Sequence, residues 1–233
     1  MPSAAWRLVK ALASLKDENG KVLISGFYDD VREATEMEKQ TSRDNIDLEQ
    51  EARDKEMYGI DAFLHNRSGY DLEMSVYEPT ANISGYTEPG VKNVLPAKAM
   101  AKMDFRLVPN QRPADILQKL KAHLRAQGFE DVQIKQLGGA DSVVTPMEGP
   151  FVQKMMQVCR AFAEQEPEVI PPVGGTLPLL GTMKNNVGTL GISTSGNPSY
   201  YGSGAHAPNE HIRVADIPRA IEFNVFLFTH LGE

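Results

Sequence analysis

The sequence predicts an α+β domain followed by a partial α/β segment, and three observations carry that reading. From residue 3 to 137 the apolar pattern runs helix, strand, strand, strand, helix, strand, with Gly, Pro and Asn turns between the periodic stretches. That order lays helices on one face of an antiparallel sheet. A glycine-rich junction, Gly138-Gly139-Ala140-Asp141-Ser142, then divides the chain into residues 1–139 and 140–233. Beyond it the pattern holds the helices and the single strand of part of an α/β layer, not of a whole domain.

Each element has its own signal. Residues 3–15 place Ala5, Trp6, Val9, Leu12 and Ala13 at helical spacing, and Asn19-Gly20 ends the helix. A domain seldom opens on an amphipathic helix without a partner strand, so further sequence is expected before Met1. One strand there would complete a ferredoxin-like order. Residues 21–24 read as a short strand, and Tyr28 and Asp29 as a turn with helix N-cap chemistry. The densely charged run over 30–57 reads as a solvated helical face. His65 falls in a polar loop and is expected to be exposed.

Residues 78–86 read as a strand that leaves its sheet at Gly85, and residues 97–108 as an alternating strand with Arg106 near its end. Pro109 to Pro113 turn the chain into a helix whose stripe is Ile116, Leu117, Leu120 and Leu124, closed by Gly128. Val132 and Ile134 alternate as a last strand of this domain. After the junction, Phe151, Met155, Val158 and Phe162 mark a helix, in which Cys159 reads as a small buried apolar residue. A Gly174-Gly175-Thr176 turn precedes a short apolar helix, residues 187–193 read as a buried strand, and Asp216 and Pro218 open a final helix. Its Ile221, Val225 and Phe228 are expected to pack on that sheet.

Composition limits the function classes. A chain of 233 residues, 41% apolar and 24% charged, can bury a substantial core. Its net charge of −7 gives no basic stripe for phosphates, which argues against nucleic acid. A single cysteine rules out an internal disulfide framework. No apolar run approaches the ~20 residues of a membrane span, and no signal peptide opens the sequence, so a cytoplasmic setting is expected.

Two constellations carry chemistry. In Gly202-Ser203-Gly204-Ala205-His206-Ala207-Pro208-Asn209-Glu210 the glycines and proline aim His206 by loop geometry. A neutral imidazole is a common zinc ligand, which Asn209 or Glu210 could orient, although tight zinc sites need three or four donors. The second pair is Asn93 and Arg106. A guanidinium grips a carboxylate through two parallel hydrogen bonds, and an asparagine amide can donate to a polarised carbonyl. The backbone amides of Gly174, Gly175 and Thr176, at a helix N-terminus, suit a carboxylate or oxyanion, or equally a tight packing turn. Cys159 in a helix core and the lack of a Ser-His elbow argue against a serine or cysteine hydrolase.

Three runs, taken together, resemble the M20 family of zinc metallopeptidases, which includes carnosinase-like dipeptidases and acyl-amino-acid hydrolases. They are Asn93-Val94-Leu95-Pro96-Ala97 with Arg106-Leu107-Val108-Pro109-Asn110-Gln111, the Gly174-Gly175-Thr176-Leu177-Pro178 turn, and Ala205-His206-Ala207-Pro208-Asn209-Glu210. Gly26-Phe27-Tyr28-Asp29-Asp30 resembles the family's lid sequence at the matching place. The resemblance implies that residues 1–139 are a lid or dimerisation domain, forming a homodimer, and that residues 140–233 are the C-terminal part of a catalytic domain. It further implies two zinc ions in a complete enzyme, with His206 as a metal ligand and Asn209 and Glu210 behind it. Asn93, Arg106, Gly174, Gly175 and Thr176 would contact a peptide or acyl-amino-acid substrate.

The family's His-x-Asp pair and adjacent Glu-Glu do not occur here, so this chain is expected to hold one ligand, no general base and little or no zinc by itself. Its N-terminal catalytic half is expected to be absent. The alternative is a non-catalytic oligomerisation or substrate-holding module.

Overall fold

A computed structural model describes residues 3–87, 95–163, 166–167, 169, 178–187, 202–205 and 208–231. The described residues are α+β, with a single two-stranded antiparallel sheet among them. They group into two compact units, Met1–Val144 with Ile170–Gly188, and Thr145–Val169 with Thr189–Glu233.

In the first unit, helix α1 (Ala4–Ala13) starts where the Ser3 hydroxyl accepts the Trp6 amide at 3.4 Å. It buries Ala11 and, just past its end, Leu15, while Trp6 stays 67% exposed. Arg7 fastens this helix to residues 128–131. Its guanidinium donates to both Asp131 carboxylate oxygens and to the Gly128 carbonyl, and lies 4.5 Å over the Phe129 ring.

The strand expected over residues 21–24 is reduced to a bridge between Lys16 and Val22. Burial there matches the sequence reading, since Val22, Ile24 and Phe27 all lie in the core. The ladder does not form because its donors are taken locally. The Asp17 carboxylate accepts the Asn19 and Lys21 amides, and the Val22 amide donates to the Tyr28 hydroxyl at 2.9 Å. Tyr28 and Asp29 do lie in a turn, but no helix follows them, and the next N-cap is Thr35.

The charged run forms helices α2 (Glu36–Asp44) and α3 (Leu48–Tyr58), and it is not wholly a solvated face. Glu38 completes a capping box with Thr35, receives both terminal nitrogens of Arg32 at 2.6 and 2.7 Å, and is buried. Arg32 donation holds the Glu38 carboxyl below the usual range, and burial opposes it only in part. Glu51 on α3 is also buried, accepting the Ser68 hydroxyl at 2.7 Å and the Gly69 amide at 2.6 Å. Glu51 thereby pins the chain leading into the short helix α4 (Tyr70–Met74).

Strand β1 (Thr80–Thr87) pairs antiparallel with β2 (Met100–Arg106), with a bulge between Ile83 and Gly85. Ala81, Met103 and Phe105 face the core, where Ala11 and Leu15 meet Ile116, Leu120 and Leu124 of helix α5 (Pro113–Ala126). Helix α5 opens with Pro113 at its first turn and closes in a Schellman motif. The Gly128 amide (φ +72°) bonds the Arg125 carbonyl and the Phe129 amide bonds the Leu124 carbonyl. Val132 and Ile134 pack on the core, but as irregular chain, because the Val132 amide closes a turn onto Phe129 instead of joining a strand.

One side chain locks this unit. Gln111 is 2% exposed, its carbonyl oxygen accepts the Val108 amide at 3.1 Å, and its amide donates to the Phe27 carbonyl at 2.7 Å. The 26–30 turn and the exit of β2 are thereby held by one group. Helix α7 (Pro178–Val187) also belongs here, with Gly181 against the Asp141 backbone, where a Cβ would stand 3.4 Å from the carbonyl oxygen.

In the second unit, helix α6 (Pro150–Ala163) and helix α8 (Asp216–His230) share a core of Met155, Val158, Phe223 and Leu227. Phe162 packs edge-on to Phe223, with 5.1 Å between ring centroids. Cys159 borders this core, and burial pushes its thiol pKa up, as expected for an unreactive apolar residue. The face of α8 expected to pack, Ile221, Val225 and Phe228, is instead exposed, and the opposite face is buried. The strand expected over 187–193 lies outside the described residues beyond Val187, which ends α7.

Gln111→Ala should destabilise the chain by about 1–3 kcal/mol, because it leaves a buried carbonyl and a buried amide without partners. Urea titration followed by circular dichroism measures this, and a midpoint equal to wild type would refute the locking role. Glu38 gives a pH-dependent case. Its folded pKa is depressed, so its contribution is present above the unfolded value near ~4.3 and is lost as pH falls through the folded value. The stability gap between wild type and Glu38→Gln should therefore be widest near neutrality and should close in acid. A gap independent of pH would contradict that assignment.

Candidate functional site

Strand alternation sets the first part of the site. Met103 and Phe105 point into the core, so Asp104 and Arg106 occupy the opposite face, opposite Asn82 and Thr80 respectively in the β1 register. Asn82 donates to the Thr80 hydroxyl at 3.2 Å, which makes this end of the ladder polar. Arg106 Nε stands 3.5 Å from Asp104 Oδ2, and its side chain is 48% exposed. A solvated pair at that distance is worth about 0–1 kcal/mol.

The second part is the loop around position 206. Gly202 and Gly204 take φ of 89° and 69°, and Asn209 takes 66°, a left-handed angle that asparagine tolerates better than most residues. The buried Ser203 accepts the His211 amide at 2.9 Å through its carbonyl, and the His211 ring Nδ1 lies 2.9 Å from the Asn209 carbonyl oxygen. A Cβ on Gly204 would stand 3.7 Å from Glu210 Cα. The two ends of the loop are thus joined at its base. Asn209 and Glu210 are exposed on it.

His206, Asn93, Gly174, Gly175 and Thr176 lie outside the described residues. Of the site residues expected from sequence, the structure therefore describes Arg106, Asn209 and Glu210. Arg106 belongs to the first unit, and Asn209 and Glu210 to the second. Among the described residues no group of three or more His, Cys, Asp and Glu side chains could hold a metal ion. They do not by themselves fit a zinc centre, and no metal-dependent step can be built on them.

Sequence reasoning missed two supporting residues. Gln111 lies in the run that carries the resemblance, but its buried bridge has no periodic signature. His211 closes the loop through its backbone amide and its ring.

Three comparisons bear on this geometry. The chain is 28% identical over 181 residues to the Beta-Ala-His dipeptidase of Rattus norvegicus, covering 74% of this chain and 36% of that protein. It is 31% identical over 121 residues to the Cys-Gly metallodipeptidase dug1 of Schizosaccharomyces pombe, covering 50% of this chain and 25% of that protein. The chain thus spans between a quarter and about a third of the length of these two curated relatives. Its structure superposes on the M20 family metallo-carboxypeptidase Sso-CP2 of Sulfolobus solfataricus with a TM-score of 0.87 and 33% identity, covering 99% of this chain and 53% of that one. The family model described as the peptidase dimerisation domain of M20 enzymes matches residues 1–132, more than half of the sequence, and the chain belongs to that M20 peptidase family.

Proposed function

We propose that the chain is a portion of a di-zinc M20-type peptidase or amidohydrolase that hydrolyses peptide or acyl-amino-acid amide bonds, and that it is inactive alone. In this reading residues 1–139 are a ferredoxin-like lid and dimerisation domain, and residues 140–233 are the C-terminal part of the catalytic domain. One observation carries it: almost the whole chain superposes on an M20 metallo-carboxypeptidase, yet accounts for 53% of that enzyme. The expected inactivity rests on the sequence, which lacks the family's His-x-Asp pair and adjacent Glu-Glu.

The roles follow from chemistry. His206 contributes one zinc ligand, held in the closed loop whose base is the Ser203 and His211 bond, with Asn209 and Glu210 supporting it. Arg106, with Asn93, holds the carboxylate end of the substrate, for which the two parallel donors of a half-exposed guanidinium are suited. The amides of Gly174, Gly175 and Thr176, just ahead of α7, receive a substrate oxygen. A homodimer forms through the first unit, where the edges of the two-stranded sheet lack ladder partners among the described residues. No described helix is long and apolar enough to cross a membrane. The cytoplasmic setting expected from the sequence is kept as part of this reading. The missing His-x-Asp and Glu-Glu also leave open a second reading, a non-catalytic substrate-holding or oligomerisation module.

The purified chain should lose zinc on dialysis and leave dipeptides uncleaved. Stoichiometric retained zinc together with turnover would overturn the inactivity. In an assembled two-part enzyme, His206→Ala should lower zinc content and rate together. Arg106→Ala should keep the metal and weaken substrates with a free carboxylate by about 2–5 kcal/mol relative to amidated ones, if the pair is desolvated on binding. Equal losses on both substrates would remove Arg106 from carboxylate recognition. An assembly that binds carboxylate-bearing ligands with normal metal dependence on His206 but never turns over would favour the module reading.

A further inference from the structure

The run Gly26-Phe27-Tyr28-Asp29-Asp30 takes no part in the roles proposed so far, yet it is built as a closely tied turn. The Asp29 amide donates to the Gly26 carbonyl at 3.2 Å, and the Val31 amide to the Tyr28 carbonyl at 3.1 Å. Gly26 stands at φ +74°, where a side chain would be strained, and a Cβ there would lie 2.8 Å from Asp29 Oδ2 and 3.1 Å from Lys119 Cε. Lys119 crosses the turn from α5, its Nζ 2.6 Å from Asp115 Oδ2 and 3.4 Å from Asp30 Oδ2. Tyr28 ties the turn inwards through its hydroxyl, which accepts the Val22 amide at 2.9 Å.

Phe27, 1% exposed, meets the end of β2 twice. Its ring centroid lies 6.2 Å from that of Phe105, the residue before Arg106. Its carbonyl accepts the Gln111 amide at 2.7 Å, while the Gln111 carbonyl oxygen accepts the amide of Val108, two residues after Arg106, at 3.1 Å. Only this orientation of the carboxamide satisfies both partners, because the Phe27 carbonyl can only accept and the Val108 amide can only donate. Arg106 is thus bracketed in sequence by two contacts that lead to one residue of the turn. We propose that the 26–30 turn is the platform that places the Arg106 guanidinium, with Phe27 and Gln111 as positioning residues for carboxylate recognition. The proposal rests on the reading of Arg106 as the substrate-carboxylate anchor, and it adds what sets the direction of that anchor. Two parallel hydrogen bonds to a carboxylate demand a fixed guanidinium plane, so a shift of the β2 exit forfeits the second bond first.

The test uses the purified chain. The side-chain Nε–H signal of Arg106 is assigned by its loss in Arg106→Lys, and its heteronuclear NOE is measured in wild type, Gln111→Met, Gly26→Ala and Leu124→Ala. Gln111→Met keeps the length of the side chain and removes both polar bonds. Gly26→Ala pushes on the turn and leaves β2 and Gln111 unaltered in sequence. Leu124→Ala opens a cavity in the same core and controls for loss of stability alone. The expected result is a lower NOE at Arg106 in Gln111→Met and Gly26→Ala, with wild-type values in Leu124→Ala and at Arg32 throughout. An Arg106 signal unchanged in both variants overturns the platform, and so does an equal fall in Leu124→Ala, which would reduce the effect to general loosening. Should Gln111→Met not fold, Gly26→Ala decides alone. Binding of N-acetylglycine and of N-acetylglycinamide, followed by the same signal, tests the underlying reading separately. Wild type should favour the carboxylate, and Gln111→Met should cut that preference by about ten-fold, the value of one hydrogen bond not made. A preference kept in full by Gln111→Met overturns the part of the platform in recognition. No preference in wild type, with the NOE pattern as expected, removes the carboxylate reading and leaves the platform in place.

Discussion

The buried amide of Gln111 is the constraint on which the first unit most depends. A strand exit and a tight turn 84 positions apart in sequence, at residues 111 and 27, are joined by one side chain that satisfies a donor on one and an acceptor on the other. Neither backbone group has a ladder partner there, so each would carry a desolvation cost if the amide were absent. Because Val108 follows Arg106 by two residues, the same bond fixes where β2 stops and therefore where the guanidinium emerges. Packing and the placement of the Arg106 guanidinium are coupled at this point.

The charged stretch between residues 30 and 78 illustrates a second constraint. Composition alone assigns it to solvent, since a carboxylate is costly to bury. The structure buries Glu38 and Glu51 because each is met by several donors in fixed places: Arg32 and the Thr35 amide for the first, Ser68 and Gly69 for the second. Ser42, fully buried on the same helix as Glu38, adds a polar atom whose hydroxyl finds no hydrogen-bond partner of normal geometry in this cluster. Such an arrangement specifies one conformation more than it adds stability.

How far the sequence could be read follows from which forces are local. Helices α1, α5, α6 and α8 were legible because their apolar spacing repeats at 3.6 residues and their ends carry capping signals such as Ser3, Pro113 and Gly128. Strand β2 was legible from alternation, with Arg106 near its end; β1 was legible in part, since its pairing runs past Gly85 to Thr87 where the sequence reading had it leave the sheet. The strands over residues 21–24 and 132–134 were misread because alternation reports burial, and burial here comes without a ladder. Which side of α8 is buried was also misread, since a helix apolar on both faces gives no periodic preference. In the loop at residues 202–210, glycine and asparagine announced the left-handed angles, but the closure through Ser203 and His211 involves no signal in composition. The placement of His206, Asn93 and residues 174–176 falls outside what the structure describes.

The two described parts of the site differ in how they are built, and that difference has a mechanistic sense in the proposed reading. A metal ligand must be preorganised, because loss of aim by a fraction of an ångström forfeits coordination. The loop carrying His206 is closed at its base by a backbone bond and shaped by three left-handed residues, which restricts its ends. A substrate anchor has the opposite requirement, since it must release one partner to take another in every cycle. In that reading Arg106, half exposed and 3.5 Å from Asp104 at the end of β2, is the guanidinium that meets the substrate carboxylate. Arg32 shows the other use of the same group: its bidentate pair with the buried Glu38 would be costly to break, so it serves the fold and not exchange.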